Sequence, residues 1–144
     1  MARGVRRDRH GMSAKGKCIL LIGGETAVGR AIAIGLAEAG ADVAIASLTA
    51  AMQAEFAINS ALNEVWAIGR EGVAIVMDSS EDVQLSDALL RAESEMGTLD
   101  AVVAIAGDID AARLRAALPD CNVLAVDPEA DAQAALAQVI EALG

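Results

Sequence analysis

From Cys18 onward the chain alternates short, unbroken apolar runs with longer stretches whose apolar residues recur every three or four positions. Unbroken runs of four to eight residues bounded by turn residues predict buried strands, and the wider spacing predicts helices. Cys18–Ile22 is the first run and ends at Gly23-Gly24. Residues 26–39 follow with Val28, Ile32, Gly35, Leu36 and Ala39 at helical spacing, and stop at Gly40. Asp42–Ala46 is the second run, and 49–69 is a helix carrying Met52, Phe56, Leu62, Val65 and Trp66. A third run at 73–77 leads into a helix over 81–96, closed by Gly97. Ala101–Ile105 is the fourth, followed by a short helix at 110–118 that Pro119 stops. The fifth run is 122–126, and Pro128 is expected to open a last helix reaching Leu143.

Strands this apolar are buried on both faces, which is the condition of a parallel sheet covered by helices on each side. Right-handed crossovers then give a doubly wound α/β fold of three layers, αβα, with five strands in the order 3-2-1-4-5. No repeat or internal linker interrupts the alternation. The expected organisation is a flexible basic leader over 1–16, or an upstream extension ahead of Met12, and one domain over 17–144.

Composition sharpens this picture mainly by what it lacks. The 144 residues contain no tyrosine, and the only lysines are Lys15 and Lys17, both ahead of the first run. Any chemistry that needs a Tyr or Lys within the folded body is therefore excluded for this chain alone. Alanine supplies 33 residues while Phe56 and Trp66 are the only aromatics, which favours close helix-on-sheet packing. Residues 1–17 carry six cations against Asp8, and the remainder has five arginines against 20 acids. An acidic body without basic–aromatic interleaving is a poor nucleic-acid surface. With no apolar signal core and no run near 18 apolar residues, the reading is a soluble, cytoplasmic protein without membrane contact. Cys18 and Cys121 flank strands separated by a third, so their Cα atoms should lie near 10 Å apart, beyond the ~7 Å reach of a disulfide. His10 is the only histidine and stands in the leader, so no His/Cys metal cluster is expected.

The turn Gly23-Gly24-Glu25-Thr26-Ala27-Val28-Gly29 passes from strand to helix, which gathers free N–H groups and the positive helix end where a phosphate would sit. By itself such a turn is common. Its company makes it specific: 39–47 is a second strand of matching form, Asp78 closes the third, and 97–107 reads Gly-Thr-Leu-Asp-Ala-Val-Val-Ala-Ile-Ala-Gly. Over roughly 16–110 the chain resembles the short-chain dehydrogenase/reductase family, whose Thr-Gly-x-x-x-Gly-Ile-Gly turn, adenine-contacting Asp and Gly-x-Leu-Asp-x-Leu-Val-Asn-Asn-Ala-Gly motif these stretches parallel. The resemblance implies a Rossmann-like domain that binds NAD or NADP through Gly23, Gly24, Thr26, Ala27, Val28, Gly29, Ser47, Asp78, Ser79, Ala106 and Gly107.

The departures from the family pattern weaken that site. Ala27 replaces a glycine and crowds a bound pyrophosphate, and Ile22 replaces the leading Thr. Glu25 puts an anion beside the phosphates unless it turns outward or helps Thr26 cap its own helix, so Ala27→Gly or Glu25→Ser is expected to tighten binding. Ser47-Leu48 stands where the family has an acid for the NAD ribose or an arginine for the NADP phosphate, leaving the choice between the two open. Ala104-Ile105 replaces the Asn-Asn pair. The Tyr-x-x-x-Lys pair that supplies the family's general acid is absent, with the later strands, and Ser79 and Ser80 are misplaced to act as its Ser. The resemblance therefore implies a non-catalytic nucleotide- or partner-binding module. The alternative is an NAD(P)-dependent oxidoreductase completed by residues of another subunit, or using Asp108 or Asp110, residues that otherwise read as first-turn acids of a helix. A phosphoacceptor of receiver type is disfavoured, because it wants an acidic pair after the first strand and a Lys after the fifth. A homo-oligomer, or docking onto a related full-length reductase, is expected from the apolar face of the last helix (Ala132, Leu136, Val139, Ile140, Leu143) and from the open edge of the fifth strand.

Overall fold

Apolar side chains on both faces of five short runs force a sheet with two covers, and the chain folds so. The computed structural model describes residues 13–144. They form β1 (Cys18–Ile22), α1 (Ala27–Glu38), β2 (Asp42–Ala46), α2 (Met52–Ile68), β3 (Gly72–Ile75), α3 (Asp82–Met96), β4 (Ala101–Ile105), α4 (Asp108–Ala117), β5 (Val123–Val126) and α5 (Ala132–Leu143). All strand pairs are parallel, in the order β3-β2-β1-β4-β5. That is the order inferred from the pattern. β1 and β4 are buried at every position. Because side chains alternate across a strand, Ile19 and Leu21 pack under α1, α2 and α5, while Leu20 and Ile22 pack under α3 and α4.

The entry to the central strand is pinned by an acid. The Asp100 carboxylate accepts the Cys18 N–H at 2.8 Å, and the Asp100 N–H donates to the Cys18 carbonyl at 2.7 Å. This ties the starts of β1 and β4 together. Cys18 and Cys121 are both free. Burial, assisted by Asp42 and Asp100, pushes the Cys18 thiol up to about 11.

Four details differ from the sequence reading. β3 stops at Ile75 rather than Met77, because Met77 turns to bond Ser47 instead of extending the ladder. Pro128 does not open α5. It lies in a turn in which the Asp127 carboxylate accepts from Glu129 N–H at 2.7 Å, and Asp131 is the true cap, accepting from Ala134 N–H at 2.9 Å. Of the expected leader, residues 1–12, with His10, lie outside the described residues. Its end is packed: Ala14 is 1% exposed and donates its N–H to the Ala39 carbonyl. The fourth concerns α5, whose apolar face is not free. Val139 and Ile140 are buried, and Leu136 sits so close on Gly35 of α1 that a methyl group there would strike it.

Candidate functional site

Everything that gives the site its shape happens at the carboxyl ends of the strands, where a doubly wound sheet opens on either side of β1. Gly23 leaves β1 at φ 105°, a left-handed backbone that a side chain would resist, and a Cβ there would press on Ile105. Gly24 lies against Ile45, and a Cβ on Gly29 would strike the Gly23 carbonyl oxygen. The first turn of α1 is thereby drawn tightly onto the loop. Thr26 caps it: its hydroxyl donates to the Gly23 carbonyl at 2.7 Å and accepts the Gly29 N–H at 2.9 Å. Among the described residues, the Ala27 and Val28 N–H groups find no protein acceptor. Ala27 is exposed at this helix start and Val28 is buried beneath it.

Glu25 does not cap its own helix. Its carboxylate turns away from the α1 start and reaches the loop after β2, where it accepts Leu48 N–H at 2.8 and 3.0 Å and Thr49 N–H at 3.3 Å. The like-charge cost assigned to it in the sequence reading thus falls on a different place from the helix N-terminus.

Beside the glycine turn is a cleft of about 410 Å³, lined by Leu48, Thr49, Asp78, Ser79, Ala106 and Gly107, among others. Four of the eleven expected binding residues meet there: Asp78, Ser79, Ala106 and Gly107. None of the six expected turn residues lines this cleft; the turn stands beside it, where a Cβ on Gly23 would press on the cleft residue Ile105. Ser47 is the exception. It is fully buried, its hydroxyl accepting Met77 N–H at 3.0 Å and donating to the Met77 carbonyl at 3.2 Å, so both its hydrogen-bonding roles are spent inside the protein.

Asp78 follows β3 and accepts from both the Ser80 hydroxyl (2.6 Å) and its N–H (3.0 Å). Those bonds, with Arg113 nearby, hold its carboxyl below the usual range. Ser79 donates its hydroxyl to the Leu48 carbonyl at 3.1 Å, joining the loops that follow β2 and β3. Asp110 stands in the first turn of α4 and borders the cleft, while the side chain of Asp108 lies outside the described residues. The cleft also holds Arg113, which no sequence pattern marks. Arg113 brings the only guanidinium among the cleft's lining residues, pairing with Asp82 at 2.6 Å and donating to the Ser79 carbonyl. In the sequence it was one of five body arginines, and only the turn of α4 over the strand ends distinguishes it.

No metal-ligating group of three or more His, Cys, Asp or Glu occurs among the described residues. No helix among them is long and apolar enough to cross a membrane.

Comparison with known proteins bears on the family and the fold. The short chain dehydrogenase family pattern matches residues 17–125. A short-chain dehydrogenase/reductase of Armillaria gallica is 36% identical over 94 residues, which is 65% of this chain and 35% of that protein. L-rhamnose 1-dehydrogenase (NAD(P)(+)) of a Sphingomonas species is 34% identical over 93 residues, again 65% of this chain and 35% of the other. The solved hydroxysteroid dehydrogenase of Escherichia coli superposes with a TM-score of 0.58 at 29% identity, covering 65% of this chain and 36% of that one. The chain spans about a third of the length of the relatives it matches.

Proposed function

This chain belongs to the short-chain dehydrogenase/reductase family, and from that premise we propose that it binds NAD or NADP as a nucleotide-binding module and does not by itself transfer hydride. The observation that carries the first half is the cleft over the strand ends, with a glycine turn beside it whose Ala27 and Val28 N–H groups have no acceptor among the described residues. A dinucleotide suits that donor set. At Gly23, Gly24 and Gly29 a Cβ would strike Ile105, Ile45 and the Gly23 carbonyl, so these glycines draw the turn tightly under the positive end of α1, where a pyrophosphate would sit. Thr26 would hold the turn in shape, Ala106 and Gly107 would floor the cleft, and Asp78 with Ser79 would meet the adenosine side. The name of the Sphingomonas relative, NAD(P)(+), supports the same cofactor class.

The second half rests on proton chemistry. When bound, the nicotinamide supplies the hydride; the protein must supply a proton to the carbonyl oxygen, a contribution of about 10²–10⁴-fold. The chain has no tyrosine. Lys17 directly precedes β1, at the opposite end of the strand from the cleft, roughly 16 Å away at ~3.3 Å per residue. Calorimetric titration with NAD⁺, NADH, NADP⁺ and NADPH tests the binding half, with micromolar dissociation constants expected. A panel of ketones and alcohols tests the other half, and enzyme-like turnover by the isolated chain would defeat it.

A second reading is favoured by one observation. β5 pairs only with β4 among the described residues, and a groove of about 440 Å³ runs between it and α5, lined by Leu124, Val126, Ala135 and Val139. A second subunit lodged there would make the chain one part of an oxidoreductase, with acid–base groups brought by the partner.

A further inference from the structure

Backbone N–H groups that converge on one point form an anion site, and here that site is already filled by the protein's own carboxylate. The Leu48 N–H is shared between both oxygens of Glu25, and Thr49 N–H adds a third contact. Leu48 and Thr49 line the cleft, directly after the end of β2. In doubly wound nucleotide sites this strand end distinguishes the two nicotinamide dinucleotides: a carboxylate accepts from free ribose hydroxyls, and a cation receives a ribose phosphate. The strand itself brings neither, since Ser47 is buried and bonded to Met77. We propose that Glu25, reaching over from the glycine turn, supplies the missing carboxylate and makes the site select NAD over NADP. This rests on the dinucleotide reading given above.

The chemistry follows from the contacts. A carboxylate has about four acceptor positions on its two oxygens. Two N–H donors make three contacts with it, so acceptor capacity remains for a hydroxyl group of a ribose. A ribose phosphate meets the opposite situation. The N–H groups that would bind it are taken, the occupant carries the same charge, and the cleft that Leu48 and Thr49 line holds two further acids, Asp78 and Asp110. The one cation there, Arg113, is paired with Asp82 and bonded to Ser79.

The experiment is a calorimetric comparison of NAD⁺ and NADP⁺ on the full chain, on Glu25→Gln and on Glu25→Ser. Glutamine keeps an oxygen for the Leu48 N–H and removes the charge; serine removes both. The unmodified protein should bind NAD⁺ at least about tenfold more tightly than NADP⁺. Both variants should gain NADP⁺ affinity and lose some NAD⁺ affinity, bringing the ratio within about threefold; for NAD⁺ this reverses the tightening expected of Glu25→Ser from the sequence, because the carboxylate sits on the loop after β2 and not at the α1 start. Equal affinities in the unmodified chain, or a ratio that neither folded variant changes, would overturn the assignment while leaving dinucleotide binding intact. Binding of neither dinucleotide would instead remove the reading on which it rests. The ratio in the unmodified protein needs no variant, so a variant that fails to fold leaves the assignment still open to refutation.

Discussion

Ser47 and Glu25 show how two polar residues near one strand end come to opposite uses. Ser47 spends its hydroxyl on both backbone groups of Met77 in a fully buried position. Ser47→Ala should cost about 1–3 kcal/mol in chemical denaturation, because a buried N–H and carbonyl lose their partner. Nucleotide affinity should hardly change, and a large loss would place the hydroxyl in the site after all. Ala27 sits at the other extreme, exposed on the α1 start. Ala27→Gly should tighten dinucleotide binding by about two- to fivefold in the same titrations, a gain below 1.4 kcal/mol. The glycines of the turn were legible in the sequence because each answers a local demand, a positive φ at Gly23 and a close approach at Gly29. The direction of Glu25 was not, since its partners are main-chain N–H groups 23 and 24 positions away, which no spacing rule encodes.

Elements were easier to read than side-chain directions. β1, β2 and β4 fall on the unbroken runs because all three are covered on both faces, so apolar character alone marks them. β3 was read too long because it is an edge strand, where Val76 and Met77 remain apolar after the ladder has stopped. At α5 the difference between pattern and structure has more consequence. Its apolar residues looked like surplus surface, but the small residue Gly35 lets α1 receive Leu136, and Ile140 is 2% exposed. A helix-facing glycine is a recess that only the paired helix explains. The Leu136→Asp, Ile140→Asp double variant is therefore expected to unfold the chain rather than to break an interface. Circular dichroism would show loss of helix; a folded double variant would mean that α5 does not close the core. The milder Ile140→Ala should cost about 2–4 kcal/mol by leaving a cavity.

At the scale of the molecule, the open side of β5 is where a partner is expected. A sheet edge offers unpaired N–H and carbonyl groups, and the neighbouring groove adds apolar surface. Light scattering should give a mass above 14.6 kDa at tens of micromolar. Ala125→Lys, an exposed edge position, should shift it toward the monomer without loss of helix. A clean monomer before and after the change would argue against that reading. The pairing of Cys18 with Asp100 has a different consequence, one of time. The two residues are 82 positions apart, and β1 lies between β2 and β4. Its second neighbour is therefore made late, after β2, β3 and three helices have left the ribosome. Until β4 arrives, one long side of the most apolar strand stands bare, and closing so long a loop slows the docking that would cover it. A nascent chain paused before Ala101 would be the species most prone to aggregate.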